Sequence, residues 1–315
     1  MFQVSANFLT TAFATRAGRR LVLLAGVALL AACASVPVTD TGPAPAAPPV
    51  AAAAKVPARI GLALGGGAAR GFAHVGVIQV LEEAGIHPTL VTGTSAGSLV
   101  AAIYASGKSG AQLQQIAETM EEATMADWRL PLFSPGMLRG EALARYVNGQ
   151  VNSALIESMP LPLGIVATDL ATGLDTLFQR GDTGTAVRAS SAVPAVFQPV
   201  RISGRDYVDG GLVSPVPVRA ARKMGAELVI AVDISSPPDS NLGGGTLDVL
   251  LQTFSIMGKS INTFELKDAD VVVRPSLQGI SSADFASRKR AIEAGRQAML
   301  KMLPSLRLAM AAKAR

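Results

Sequence analysis

The sequence predicts an α/β fold in which a largely parallel sheet is covered by helices on both faces. Two observations carry this. Short, continuously apolar segments alternate with segments of helical period along most of the chain. The first, Ile60-Gly61-Leu62-Ala63-Leu64, runs directly into Gly65-Gly66-Gly67, and the residues after the glycines have helical spacing. Such a strand, glycine turn and helix leave amide N–H groups uncovered at a helix N-terminus, where negative charge is favoured. Whether the anion is a standing phosphate or a transient oxyanion stays open at this point.

Taken from the start, residues 1–32 are expected to be a targeting segment. Arg16, Arg19 and Arg20 precede an apolar run of 12 residues, Leu21 to Ala32, which is short for a bilayer span. The run closes in Leu30-Ala31-Ala32-Cys33, with Cys33 the single cysteine of the 315-residue chain. That ending resembles a bacterial lipoprotein signal, which implies that Cys33 becomes the lipidated first residue and that the chain is held at a membrane. Ala34 and Ser35 carry no acidic retention signal, so the expected location is the outer membrane, facing the periplasm. One cysteine allows no disulfide within the chain.

The charge balance follows from this cut. The whole chain carries a formal +5, and residues 1–32 hold three arginines and no acid, leaving about +2 (5 minus 3) on the remaining 283 residues (315 minus 32). A nucleic-acid partner thereby loses its main support. Residues 33–57 form a proline- and alanine-rich tether, which in polyproline geometry reaches roughly 70 Å. The folded body is expected over 58–303, with a C-terminal tail over 304–315 that is either helical or frayed.

Within the body, helices are predicted over 69–84, 97–106, 109–122, 140–148, 182–189, 215–224, 247–266 and 284–303. Strands are predicted over 60–64, 89–92, 163–169, 175–178, 227–233 and 269–274. Residues 200–208 form a hairpin around Gly204. Trp128 and Phe133, near Leu130, Leu132, Met137 and Leu138, fit either a lipid-facing lid or core packing.

The chemistry centres on Gly93-Thr94-Ser95-Ala96-Gly97, a G-x-S-x-G segment between a strand and a helix. A sharp turn there lifts the serine hydroxyl off the strand end, and glycines at 93 and 97 remove side chains that would collide. A nucleophilic serine needs a base. The chain has two histidines, His74 and His87, and both are more simply read as structural. Three aspartates stand at strand ends or turns, Asp169, Asp209 and Asp233, and the pattern of residues does not choose among them.

The motifs Gly65-Gly66-Gly67-Ala68-Ala69-Arg70-Gly71, Gly93-Thr94-Ser95-Ala96-Gly97 and Asp209-Gly210-Gly211 occur in the order seen in patatin-like phospholipases. Ala189-Ser190-Ser191-Ala192-Val193-Pro194 also resembles that family. The similarity covers roughly residues 58–235 and is closest to the bacterial branch related to the neuropathy target esterase catalytic domain. The resemblance implies a three-layer α/β/α fold and a Ser–Asp dyad, with Ser95 as nucleophile and Asp209 as base. It further implies an oxyanion hole from Gly65, Gly66, Gly67, Ala68, Arg70 and Gly71, with Gly93 and Gly97 shaping the serine turn. The substrate would be a phospholipid, a lysophospholipid or a simpler carboxylic ester, with no cofactor and no metal. Ala68 stands where some family members have glycine, which is tolerable if its backbone keeps a negative φ. Two other readings remain: a nucleotide-binding module using the glycine loop, and a catalytically silent membrane-anchored lipoprotein. The first lacks a clean G-x-G-x-x-G and any acid between Leu90 and Leu99.

Overall fold

A computed structural model describes residues 56–120, 138–235, 245–281 and 284–315. Leu62 and Leu64 of the first strand, β1 (Ile60–Leu64), point into one hydrophobic cluster, while Ala63 between them points into another. A later strand repeats the alternation: Leu228, Ile230 and Val232 face the first cluster, Val229 and Ala231 the second. A period of two with apolar residues at every position places a helical layer on each side of the sheet. Each fully buried leucine contributes about 1.5–3 kcal/mol.

The sheet also contains β2 (Leu90–Thr94), β3 (Leu163–Asp169), β4 (Asp175–Phe178), β5 (Val200–Ile202), β6 (Arg205–Asp209), β7 (Leu228–Val232) and β8 (Val271–Val273). Its path is β5-β6-β3-β2-β1-β7-β8, with β4 also on β3. The five strands β3-β2-β1-β7-β8 are parallel, whereas β3–β4, β3–β6 and β5–β6 pair antiparallel. The sheet is therefore mixed, its antiparallel part lying beyond β3.

One face packs on α1 (Ala73–Glu83), α2 (Ala96–Ala105), α3 (Gly110–Thr119), α4 (Glu141–Gln150) and α5 (Thr183–Ser190). The other packs on α6 (Val218–Lys223) through Val218 and Ala221. Two later helices, α7 (Thr246–Glu265) and α8 (Arg288–Lys313), complete the described residues.

Several boundaries differ from the sequence expectation, for local reasons. Residues Ala68–Phe72 form a 3-10 turn before α1 begins at Ala73. The helix predicted from Pro215 starts only at Val218, since Pro217 disfavours the helical conformation at Val216 before it. Rather than ending before Pro304, α8 runs through it to Lys313. Burial of Leu306 and the Lys313–Asp270 ion pair at 2.6 Å hold that extension on the domain, so of the two alternatives for the C-terminal stretch residues 304–313 take the helical one. Residues 1–55, with Cys33, and the aromatic stretch containing Trp128 and Phe133 lie outside the described residues. Leu138, at its edge, makes a parallel bridge with Phe197.

Candidate active site

β2 ends at Thr94 and α2 begins at Ala96, which forces the reversal into a single residue. Ser95 takes φ 53°, ψ −124°, a conformation that costs a non-glycine residue about 1–3 kcal/mol. The reversal works only because its flanks are bare. A Cβ on Gly97 would stand 2.1 Å from the Leu64 carbonyl oxygen, and one on Gly93 would stand 2.5 Å from Gly97 O. Ser95 is thus held by backbone contact with both neighbouring elements.

The pairing around β3 brings the second group to the same place. Thr94 of β2 is opposite Val166, whereas Asp209 of β6 is opposite the next residue, Ala167. Both Val166 and Ala167 also pair with β4, so β2 and β6 share the remaining edge of β3. The two strands run in opposite directions along that edge and meet end to end, leaving Ser95 and Asp209 together. Thr168 Oγ1 donates to Asp209 O at 2.8 Å, and Gly211 N–H donates to Asp209 Oδ1 at 2.7 Å. Burial pushes the Asp209 carboxyl up from 3.8 to about 6, against the Gly211 amide and hydrogen bonding with the Ser95 hydroxyl, which both pull it down.

The segment 189–194 braces both residues. Ser190 Oγ accepts the Ser95 N–H at 2.9 Å and donates to Val166 O at 2.5 Å. The Ala192 carbonyl accepts the Asp209 N–H at 2.9 Å. The sequence singled out this segment without assigning Ser190 a role; its only signal was a small hydroxyl residue after alanine near a helix end. Replacing Ser190 by alanine leaves the Ser95 amide and the Val166 carbonyl without this partner. It is expected to cost about 1–3 kcal/mol in a denaturant melt, and to lower kcat about tenfold or more by shifting the serine turn.

The glycine loop carries a correction. The Gly65 N–H donates to Val232 O at 3.1 Å and the Gly66 N–H to Pro215 O at 2.9 Å, so neither is an oxyanion donor in this arrangement. Those two residues shape the loop. Among the described residues, the uncommitted amides begin at Gly67 and Ala68, ahead of the first helical bond, Arg70 N–H to Gly67 O. Ala68 also departs from expectation, with φ 49° where a negative value was required. Its methyl group is held in the left-handed region at a cost of about 1–2 kcal/mol. At Gly71 the reason for glycine is contact, since a Cβ there would lie 2.9 Å from Ala96 Cβ. Arg70 is buried, its Nε donating to Gly67 O at 3.2 Å. Burial lowers its pKa while the Asp233 charge acts in the opposite sense.

The remaining candidates lie elsewhere or are spent. His74 is fully buried, with Nε2 2.8 Å from Gly65 O and Nδ1 without a partner. Burial lowers its pKa to about 4, so it is a neutral ring that donates to the loop and holds it. His87 is exposed, ahead of β2 and therefore at the far end of that strand from Ser95. Asp169 accepts the Ala171 and Thr172 N–H groups and pairs with Arg205 at 2.6 Å. Asp233 accepts from Ser235 and Arg274.

Ser95 stands at the junction of two cavities. One, of about 210 Å³, is lined mainly by apolar side chains of the 3-10 turn before α1, of α2 and of α3. The other, of about 260 Å³, also contains Asp209, Arg70 and Lys259. Among the described residues no three His, Cys, Asp or Glu side chains gather as metal ligands.

The site thus joins a strained serine, between a parallel strand and a helix, to a buried aspartate in an α/β fold. The patatin-like phospholipase family matches residues 62–222, and the chain belongs to that family. An uncharacterized NTE family protein of Mycobacterium tuberculosis (strain H37Rv) is 38% identical over 178 residues, covering 56% of this chain and 49% of the relative. The human patatin-like phospholipase domain-containing protein 6 is 33% identical over 231 residues, covering 71% of this chain and 16% of that protein. The chain thus spans about half the length of the mycobacterial relative. The solved structure of VipD from Legionella pneumophila shares the fold with a TM-score of 0.55 at 16% identity, covering 80% of this chain and 68% of that one.

Proposed function

We propose that this protein is a serine lipid acyl hydrolase, a carboxylic ester hydrolase acting on a phospholipid or lysophospholipid through a Ser95–Asp209 dyad. The observation that carries it is the end-to-end meeting of β2 and β6 beside Val166 and Ala167. In this reading the Ser95 hydroxyl attacks the ester carbonyl as Asp209 takes its proton. The tetrahedral oxyanion forms against the Gly67 and Ala68 amides, each such donor typically worth about 2.7–4 kcal/mol. The N-terminus of α2 adds its partial positive charge. Collapse breaks the bond to the alcohol, which leaves with the proton from Asp209. Water then attacks the acyl-serine with Asp209 again as base, releasing the fatty acid and restoring Ser95.

The two cavities support a lipid substrate: the apolar one suits an acyl chain, and the one with Arg70 and Lys259 suits an anionic head group. A nucleotide reading is less well served, because the Gly65 and Gly66 amides that would cradle a phosphate are already bonded. The test is a fluorophosphonate followed by peptide mass spectrometry. A single adduct on the peptide containing Ser95 is expected; folded protein that takes no label supports the silent lipoprotein instead.

Membrane anchoring through Cys33 at the outer membrane is part of the same proposal and rests on Leu30-Ala31-Ala32-Cys33. Cys33→Ser is expected to abolish incorporation of labelled palmitate in bacteria expressing the whole chain and to move the protein out of the membrane fraction. Unchanged incorporation contradicts the lipidation site.

A further inference from the structure

We infer that the apolar cavity is a ruler for a single acyl chain and sets a preference for medium-length chains, an inference that rests on the proposed hydrolase reading. The cavity starts at the nucleophile. Ser95 lies at its mouth, and Leu99, Val100 and Ile103 succeed one another along one face of α2 as that helix leads away from the serine. From Ser95 to Ile103 is eight residues, or about 12 Å of helix rise. An extended chain advances about 1.2 Å per bond, so about ten carbons fill that length.

Ala68 and Phe72 of the 3-10 turn and Val75 of α1 also line the cavity. Its lining therefore begins at the loop with the uncommitted Gly67 and Ala68 amides, beside Ser95. Further lining comes from α3 and Met120 just after it, where Ala117 is the small residue among Leu113, Ile116 and Met120. The volume gives a similar count. About 210 Å³ is seven times the roughly 30 Å³ share of a water molecule, and a methylene occupies about as much. Seven chain carbons beyond the carbonyl, an acyl group of about eight, fill this volume, and the length along α2 allows about ten.

Purified protein and p-nitrophenyl esters from acetate to palmitate supply the test. Each added methylene that enters the cavity raises kcat/KM about fourfold. The rise is expected to stop at eight to ten carbons. Ile103→Ala moves the break two to three carbons longer, and Ile103→Val moves it by about one. Ala117→Leu moves it two to three carbons shorter. Each variant is judged by the position of its own break, which a loss of active protein does not shift. A profile that climbs evenly to sixteen carbons, or a break unmoved in all three variants, overturns the ruler while leaving a Ser95-dependent hydrolase standing. No Ser95-dependent turnover of any ester overturns the hydrolase reading, and the ruler falls with it.

Discussion

Replacing Ser95 by alanine is expected to remove ester turnover, lowering kcat about ten-thousandfold or more, while the melting temperature stays within about two degrees. The size follows from the role: a covalent pathway without its nucleophile leaves only the binding and oxyanion contributions. The unchanged stability follows from geometry. Alanine retains the Cβ and the backbone of residue 95, including the amide bond to Ser190, and loses only the hydroxyl that faces Asp209. The strain stays as well, because alanine at φ 53° is no more comfortable than serine. Residual activity of a few per cent in alanine-substituted protein contradicts Ser95 as the nucleophile.

Asp209→Asn is expected to reduce kcat by a similar factor and, unusually for a buried substitution, to raise stability at neutral pH. The carboxyl is raised by burial to about 6, above the ordinary 3.8, so ionising it in the folded protein is uphill. A raised folded pKa contributes stability that is complete below pH 3.8 and is lost as pH climbs through about 6. Above that range the buried charge costs about 3 kcal/mol relative to its protonated form. Asparagine keeps an oxygen for the Gly211 amide and avoids the charge. The difference in melting temperature between variant and parent should be small near pH 4 and reach about 5–10 °C by pH 8. The same pKa predicts an acid limb in kcat/KM, with activity falling below about pH 6 as the base becomes protonated. Asp233→Asn and His74→Ala should retain most turnover, His74→Ala losing stability because it vacates a buried site behind the glycine loop. Loss of turnover in Asp233→Asn with survival in Asp209→Asn reassigns the base.

What the sequence made legible was local. The serine turn was readable because Gly93, Ser95 and Gly97 sit within five residues and the geometry they need is made by their own backbone. The glycine loop was readable for the same reason. Its donors were not, because the carbonyl that engages the Gly66 amide belongs to Pro215, far along the chain. Ser190 was missed on similar grounds, since its bond to residue 95 depends on how α5 packs beside β3. Residue pattern alone left Asp169, Asp209 and Asp233 equivalent, each at a strand end. Only sheet order separates them, by placing β6 on the edge of β3 that β2 has just left. The helix ends were misjudged where propensity met packing, as at Pro304, where the buried Leu306 two residues later outweighs a helix breaker.

Where the polypeptide enters the domain also matters. Val56 hydrogen-bonds with Arg315, and β1 sets off from there toward the glycine loop, so Val56 and the glycine loop lie at opposite ends of β1. Under the proposed anchoring at Cys33, the chain would be attached behind the end of the domain opposite Ser95, so the serine would have to be turned back toward the membrane to meet a lipid. On that proposal, shortening residues 34–55 is expected to slow turnover on vesicles while leaving dissolved esters untouched.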